Sequence, residues 1–383
     1  MKPIYLDYAA ATPMDPRVEK AMEPYFSNKF YNPSATYLDA RRVRKELEQA
    51  RGEIAVCLGA KAAEIVFTAG ATEANNLAIQ GVMRQFSDSE VLVSAIEHEA
   101  VLEPAALFNY KIVPVDAEGR VILNKLSNLI NDKTVLVSIG YVNNELGTVQ
   151  PLREITVLLA EMRHERQKQN NKLPLYLHTD AAQAPNYLDI HVSRLGIDLM
   201  SINGSKIYGP KQSGALYIKA GVQIKPLIYG GGQEFSLRSG TENVAAAIGL
   251  ATALKLAQER RKEEFERVSQ LHSLLINELT KKLPKAVING SKKAHSPHIL
   301  SVTFPGQDNE RLMMQLDEAG VQVATGSACA AADEEPSHVL SAIGLSHGDA
   351  RSTLRFSFGH QTTPNDILKV IKLLQKILSK SSN

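Results

Sequence analysis

The sequence predicts an α/β protein whose large domain has a mostly parallel central sheet and is followed by a smaller α+β domain. Short, continuous apolar runs alternate with helical patterns from about residue 60 to 220, which is typical of parallel strands covered on both faces. The pattern changes after residue 243. With 383 residues, 44% of them hydrophobic, the chain is long enough for more than one domain.

The elements follow in order along the chain. The candidate strands of the large domain are EIVFTAG, SEVLVSAIEH, TVLVSIGYVNNE, PLYLHTDAAQ, IDLMSINGSK and GALYIKAG. A long helix comes next, NVAAAIGLATALKLAQERRKEEFERVSQLHSLLINELTKKL, whose apolar stripe is interrupted by ERRKEEFER, so we expect it to bridge two domains. The segments HILSVTFPG, LDEAGVQVATGSACAA, STLRFSFG and NDILKVIKLLQKIL predict the smaller domain. We therefore expect a large domain over residues 16–250 and a small domain formed by 1–15 and 251–383.

Composition and charge narrow the class of function. Lys plus Arg number 43 and Asp plus Glu 41, so the net charge of +2 favours a small-molecule substrate over direct binding of nucleic acid or a membrane. No stretch approaches the roughly 18 apolar residues of a membrane span, and the start MKPIYLDYAA does not resemble a signal peptide, which predicts a cytoplasmic protein. Neither cysteine has zinc-ligand spacing, so we predict no metal site.

The two cysteines have different surroundings. Cys57 recurs at helical intervals with Leu47, Ala50 and Ile54, which predicts a core position. Cys329 lies among small residues in TGSACAAADEEPSH, which favours an exposed loop. Reactivity needs a lowered pKa, which sequence cannot give, so a tolerated surface cysteine remains an alternative. The acids that follow Cys329 predict a helix start in DEEPSHVL with Pro336 in its first turn.

One candidate site is TAGATEANNLAIQG, a Gly/Ala/Thr turn that opens a helix after the strand EIVF. Free N–H groups at a helix N-terminus favour an anion such as phosphate. An ordinary strand-to-helix turn with Thr72 as N-cap fits this segment equally well.

Two further candidates follow buried strands. Lys206 lies after a strand among glycines, where partial desolvation would favour a neutral amine able to form a Schiff base. Asp180 ends another strand, 26 residues earlier, where a carboxylate needs a cationic partner. Pyridoxal phosphate fits all three candidate sites, because it has a phosphate for the helix N-terminus, an aldehyde for Lys206 and a pyridinium nitrogen for Asp180.

The ordered motifs along nearly the whole chain resemble the cysteine desulfurases of the NifS/IscS type, which are fold-type-I, class-V-aminotransferase-like pyridoxal-phosphate enzymes. The resemblance rests on YLDYAAATP, NPSA, FTAGATEANNLAI, EHEAV, VNNELGT, HTDAAQ, GSKIYGPKQSGALY, GGGQE, RSGTEN, TGSACAAADEEPSHVL and LRFSFG.

This resemblance implies the roles of the cofactor site. Lys206 would hold the cofactor and move protons, Asp180 would keep the pyridine nitrogen protonated, and His98 would stack on the ring and share proton transfers. The remaining cofactor contacts implied are Gln183 and Asn144 at the phenolic oxygen, and Ala71, Thr72, Asn203, Ser205 and Thr241 at the phosphate. Asn203, Gly204 and Ser205 replace the commoner Ser-Gly-His, which predicts weaker cofactor binding.

The resemblance also implies the substrate contacts and the partners. Arg355 would clamp the substrate carboxylate, with Asn32 and Asn144 nearby. Thr241 would reach the phosphate across a homodimer interface. Cys329 would take sulfur from L-cysteine as a persulfide, leaving L-alanine, and pass it to an acceptor protein, an iron–sulfur scaffold or sulfur carrier, for iron–sulfur clusters, other sulfur cofactors or tRNA thiolation. A selenocysteine lyase or an aminotransferase on the same fold, and a non-catalytic sulfur-transfer scaffold, remain alternatives.

Overall fold

The computed structural model describes residues 3–326 and 336–380 of the chain. The strands are β1 (Ile4–Tyr5), β2 (Ile65–Thr68), β3 (Glu90–Ser94), β4 (Asn109–Val113), β5 (Thr134–Ser138), β6 (Tyr176–Asp180), β7 (Leu199–Asn203), β8 (Gly214–Ile218), β9 (Val287–Asn289), β10 (Ile299–Thr303), β11 (Val321–Gln322) and β12 (Thr353–Ser357). The helices are α1 (Pro16–Met22), α2 (Leu38–Leu58), α3 (Ala71–Gln85), α4 (Glu99–Ala106), α5 (Leu123–Leu129), α6 (Leu152–Lys168), α7 (Val192–Leu195), α8 (Val244–Lys282), α9 (Asn309–Glu318), α10 (His338–Ala342), α11 (His347–Ala350) and α12 (Pro364–Lys380).

The largest sheet that the described residues form has seven strands in the order β2-β8-β7-β6-β5-β3-β4. Strands β4, β3, β5, β6 and β7 are parallel, and β8 is antiparallel to both of its neighbours. This confirms the predicted mostly parallel sheet and its six predicted strands. Strand β4 was not predicted, because it is an edge strand with mostly exposed residues and therefore lacks a long apolar run.

Both faces of this sheet are buried. In β3, Val91 and Val93 belong to the apolar cluster with α3 and α4, whereas Leu92 belongs to the cluster with α2, α6 and the first half of α8. Side chains alternate between the faces of a strand, so a continuous apolar run is what two covered faces require. The polar residues at the carboxyl ends of these strands consequently lie along one edge of the sheet, where open α/β sheets bind ligands.

Helix α8 is continuous over 39 residues and takes part in two apolar cores. Leu250 and Leu254 pack in the core of the large sheet, and Leu271 and Leu275 pack in a second core. This second core lies against an antiparallel sheet of order β12-β10-β9 and the final helix α12. Strand β1 pairs with β11 in parallel, so the start of the chain lies beside its C-terminal part.

Two helix starts differ from the sequence expectations, namely the alternative with Thr72 as N-cap and the start in DEEPSHVL, of which Asp333, Glu334 and Glu335 lie outside the described residues. Gly70, and not Thr72, is the N-cap of α3, because the chain enters the helix at a φ of 131°, a region that favours glycine. Ser337 is the N-cap of α10, where its hydroxyl accepts a hydrogen bond from the Leu340 N–H, so Pro336 precedes the helix. Over the described ranges, we find no helix with both the length and the apolar character needed to cross a bilayer.

Candidate active site

A cavity of about 520 Å³ opens beyond the carboxyl ends of β5, β6 and β7. Its size lies within the range of small-molecule sites. The predicted site residues that line it are Ala71, Thr72, His98, Asn144, Asp180, Gln183, Asn203, Lys206 and Arg355. The fold therefore brings together residues that are almost 300 positions apart in the sequence.

One end of the cavity is the N-terminus of α3. Gly70 leads into this helix, and no side chain among the described residues caps it, so Ala71 and Thr72 follow with backbone N–H groups that lack helical partners. Gly214 on β8 lies directly against Gly70, since a Cβ at residue 214 would be 2.6 Å from the Gly70 Cα. A compact cradle of small residues at a helix N-terminus suits a phosphate.

Asn203 borders the same cradle from the end of β7. The Ser205 N–H and hydroxyl both donate to Asn203 Oδ1, at 3.3 and 3.2 Å. The amide NH2 is therefore the group that Asn203 can offer to an anion. Ser205 does not line the cavity, and its hydroxyl donates to Asn203, which does.

Asp180 is held at the floor of the cavity by two donors. Its Oδ2 accepts from Asn75 Nδ2 at 2.6 Å, and its Oδ1 accepts from the Ala182 N–H at 2.8 Å. Asn75 is fully buried, and its Oδ1 has no partner in the described part of the chain. Asn75 was not predicted as a site residue, although it lies within the quoted segment TEANNLAI. These two bonds fix the carboxylate while leaving further lone pairs for a cationic ring nitrogen.

Lys206 ends a short 3-10 turn, Gly204–Lys206, that follows β7. Its Nζ donates to the Ala10 carbonyl, in the N-terminal segment that forms another wall of the cavity. Gly204 is required beside it, because a Cβ at this position would be 2.0 Å from Ser213 Oγ. The lysine is thereby held at the cavity between the sheet and the N-terminal segment.

His98 is the N-cap of α4 and lines the cavity from another side. Its Nδ1 accepts from the Ala100 N–H at 3.0 Å, which leaves Nε2 as the ring nitrogen for proton exchange. Glu97, the preceding residue, is buried and accepts from the Gly140 N–H at 2.8 Å. Burial raises the pKa of Glu97 to about 8, helped by the negative charge of Asp180.

Arg355, on β12, is 3% exposed and lies at the other end of the cavity. Its Nη2 pairs with Asp7 Oδ1 at 2.7 Å, and its Nη1 donates to the Asn144 carbonyl at 3.0 Å. Its Nε is buried and has no hydrogen-bond partner within residues 3–326 and 336–380. A substrate carboxylate is the group that such a guanidinium would bind. Asp7 was not singled out in the sequence, since its partner is 348 residues away.

The loop that carries Asn144 is fixed by its neighbour. Asn143 Oδ1 accepts from the N–H groups of Glu145 and Leu146. The buried Glu145 then accepts from Ser337 Oγ at 2.6 Å. A Cβ built on Gly326 would lie 3.0 Å from Glu145 Oε2, so this carboxylate contacts the chain on both sides of residues 327–335. Burial raises the pKa of Glu145, and Ser337 and Arg355 oppose the rise.

Besides Ser205, two predicted residues of the described chain are not brought to the cavity. Asn32 and Thr241 are exposed, and neither lines the cavity. Asn32 instead accepts from the Ser34 N–H in a local turn. Cys329 lies outside the described residues. Cys57 is half-buried in α2 against the core of the large sheet, and burial raises the pKa of its thiol to about 11.

The residues of the cavity fit pyridoxal phosphate. The glycine cradle at the α3 N-terminus suits the phosphate, Asp180 suits the pyridinium nitrogen, and Lys206 suits the aldehyde. The buried, unpartnered Nε of Arg355 adds a donor for an anionic substrate group.

Comparisons with known proteins agree with this geometry. The model of the family described as "Aminotransferase class-V" matches residues 4–370. The protein named "Cysteine desulfurase IscS" from Dictyoglomus turgidum is 40% identical, over 98% of this chain and 95% of its own length. A solved structure titled "NIFS-LIKE PROTEIN" superposes with a TM-score of 0.89 at 33% identity, covering 98% of this chain and 99% of that one. A second, titled "SspA in complex with cysteine", gives a TM-score of 0.78 at 36% identity, covering 93% and 98%.

Proposed function

Because the chain belongs to the class-V aminotransferase family and is a pyridoxal-phosphate-dependent cysteine desulfurase of fold type I, we propose that it converts L-cysteine to L-alanine and leaves the sulfur as a persulfide on Cys329. The observation that carries this proposal is the single cavity that holds Lys206, Asp180, His98 and Arg355 together. When bound, the cofactor supplies a conjugated ring that withdraws electrons from the bonds at the substrate α-carbon.

The chain positions the substrate by its carboxylate. Arg355 donates to it through Nε and a second guanidinium N–H, while Asp7 and the Asn144 carbonyl hold the guanidinium in place. The side-chain amide of Asn144, which lines the same cavity, supplies a further contact. These contacts orient the α-carbon towards Lys206.

Two residues then handle protons. Lys206, whose Nζ lies at the cavity beside the Ala10 carbonyl, would take the proton from the substrate α-carbon. His98 exchanges protons through Nε2, because Nδ1 is already used by the Ala100 N–H. Asp180, fixed by Asn75 and Ala182, keeps the ring nitrogen protonated.

The sulfur step is a nucleophilic attack by the Cys329 thiolate. Its Sγ forms an S–S bond with the substrate sulfur while the substrate C–S bond breaks. The electron pair of the broken bond stays with the substrate carbon, which takes up a proton and becomes the methyl group of alanine. Both electrons of the new S–S bond come from the thiolate, so no external oxidant or reductant is needed.

We propose a homodimer in the cytoplasm. Thr241 and Asn32 are exposed and lie away from their own chain's cavity, which supports contacts with a second copy. Phe26, Phe30 and Tyr229 are 65%, 68% and 73% exposed, as expected for an interface that one chain leaves open. A transferring thiol also requires a reducing compartment. Light scattering that gave a monomeric mass would contradict the dimer.

We also propose the domain division, with residues 16–250 forming the large domain and residues 1–15 with 251–383 the small one. Two separate apolar cores support it, one on the large sheet and one on β9, β10 and β12.

The sulfur acceptor would be an iron–sulfur scaffold or a sulfur-carrier protein.

The test is to mix the cofactor-loaded protein with L-cysteine without reductant, identify the small product and weigh the peptide that contains Cys329. We expect alanine and a gain of one sulfur on that peptide. Cys329→Ala should lose both, whereas Cys57→Ala, the matched control, should retain both, because its raised pKa keeps the Cys57 thiol protonated.

Other products would identify the alternatives. Pyruvate and free sulfide with an unmodified peptide would mean elimination. Full turnover of selenocysteine by Cys329→Ala would mean a selenocysteine lyase, and a requirement for a keto acid would mean an aminotransferase. A protein that stays colourless after addition of cofactor would mean a non-catalytic scaffold.

A further inference from the structure

We propose that His298 is a positioning residue that fixes the Gln183 amide so that an N–H, and not the carbonyl oxygen, faces the cofactor. The inference rests on the proposed place of Gln183 at the phenolic oxygen. It concerns the histidine that begins the quoted strand segment HILSVTFPG and that was given no role in the site by the sequence.

His298 lies directly behind Gln183. Its side chain is 3% exposed and its ring stacks on Tyr187, with 4.2 Å between the ring centroids and 14° between the planes. Its Nε2 is 3.2 Å from Gln183 Oε1, and its Nδ1 is 2.8 Å from Ser296 Oγ. Both ring nitrogens are therefore used, which leaves the ring no freedom to turn.

The orientation of the Gln183 amide follows from its other partner. Gln183 Nε2 lies 2.9 Å from the Ala9 carbonyl oxygen, which can only accept a hydrogen bond. The amide nitrogen must face Ala9, and the amide oxygen must face His298. His298 Nε2 therefore carries the proton, and Nδ1 accepts from the Ser296 hydroxyl.

The charge state of His298 agrees with this tautomer. Burial lowers the pKa of His298 to about 3, and the positive charge of Arg355 adds to the effect. The ring is then neutral near pH 7 and has one N–H bond, which the amide oxygen of Gln183 requires.

The consequence lies at the cavity, which Gln183 lines. Of the two N–H bonds of the amide, one is used by Ala9 and the other remains for the phenolic oxygen of the cofactor. An N–H donor stabilises negative charge on that oxygen, whereas a carbonyl oxygen in the same place would repel it. Without His298, the Ala9 carbonyl is the remaining described contact that orients the Gln183 amide, and the amide oxygen loses its donor.

The test compares two substitutions in the cofactor-loaded protein. His298→Phe keeps the stacked ring and removes the donor. His298→Gln keeps a donor the same number of bonds from Cβ. We expect His298→Phe to weaken cofactor binding by about tenfold and to raise the pH midpoint of the visible absorption change by about 0.5 to 1 unit. Both values correspond to the loss of one net hydrogen bond. His298→Gln should restore both values.

The background variant Gln183→Leu separates this inference from the proposed function. There, His298→Phe should change neither readout further. If Gln183→Leu alone left the spectrum and the affinity unchanged, the proposed place of Gln183 would fail. If His298→Phe behaved as the wild type, or if Phe and Gln at 298 shifted both readouts equally, the positioning role would be wrong.

A measurement on the wild-type holoenzyme covers the case in which His298→Phe does not fold. ¹⁵N-histidine NMR should show His298 neutral, with Nε2 protonated and Nδ1 unprotonated. The opposite tautomer, or a charged ring near pH 7, would overturn the proposal.

Discussion

Replacing Arg355 with lysine separates the geometry of the proposed carboxylate clamp from its charge. Lysine keeps one positive charge but has a single nitrogen, so it cannot contact Asp7, the Asn144 carbonyl and a substrate carboxylate in the planar arrangement of a guanidinium. The buried Nε of Arg355, which lacks a partner among the described residues, is the donor that this change removes.

The expected magnitude follows from that one donor. A hydrogen bond between charged groups contributes about 1.5–3 kcal/mol, which corresponds to a rise of roughly 10- to 150-fold in the KM for L-cysteine. Because the bond holds the substrate before and during the reaction, kcat should change by less than about threefold. Asp7→Asn keeps an acceptor for Arg355 and removes only the charge of a partly exposed partner, so its KM should rise by less than about fivefold.

The assay is steady-state alanine production from L-cysteine, run beside cysteamine, which lacks the carboxylate. Arg355→Lys and the wild type should use cysteamine equally poorly. An unchanged KM for L-cysteine together with a collapsed kcat would refute the assignment of Arg355 to the substrate carboxylate. Thermal melts of each variant establish that the comparison is made between folded proteins.

Three further predictions concern stability. The pKa of Glu97 rises from 4.5 to about 8 on folding, so the wild type should lose stability relative to Glu97→Gln as the pH rises from about 5 to 8. The same difference in urea midpoint between the two proteins at pH 5 and at pH 8 would contradict this. Gly214→Ala places a Cβ 2.6 Å from backbone atoms, so it should lower the free energy of unfolding by more than about 1 kcal/mol and weaken cofactor binding. The control Gly52→Ala, on a helix with open space around it, should raise the free energy of unfolding by up to about 1 kcal/mol. Equal melting temperatures of the two variants would refute the close approach at the cradle. Arg51 and Glu234 form a buried ion pair at 2.6 Å, so Arg51→Met should lower the free energy of unfolding, measured by chemical denaturation, by about 3–5 kcal/mol. The double variant Arg51→Met with Glu234→Leu should lose much less. Additive losses from the two single changes would contradict the pairing.

The sequence predicted a residue's place best where that place follows from the apolar run next to it in the chain. Lys206 and Asp180 each follow a buried apolar run, so their place at the edge of the sheet was predictable. The long helix α8 was predictable for the same reason, because its periodicity is local.

The partners of these residues were not predictable. Asn75 is 105 residues from Asp180, and Glu145 is 192 residues from Ser337. Such pairs depend on tertiary packing, which short motifs do not encode. The N-cap at Gly70, and not at Thr72, has a different cause, since composition gave no sign that Gly70 would adopt a positive φ.

The pairing of β1 with β11, and of Asp7 with Arg355, has a consequence for how the enzyme is made. The residues from Gly70 to Gly214 that form the cofactor end have been synthesised once somewhat more than half of the chain is made. The carboxylate clamp joins residues 348 positions apart, and its strand β12 is among the last elements to be synthesised. The clamp for the substrate carboxylate is therefore completed only when nearly the whole chain has been synthesised, well after the residues that line the cofactor end.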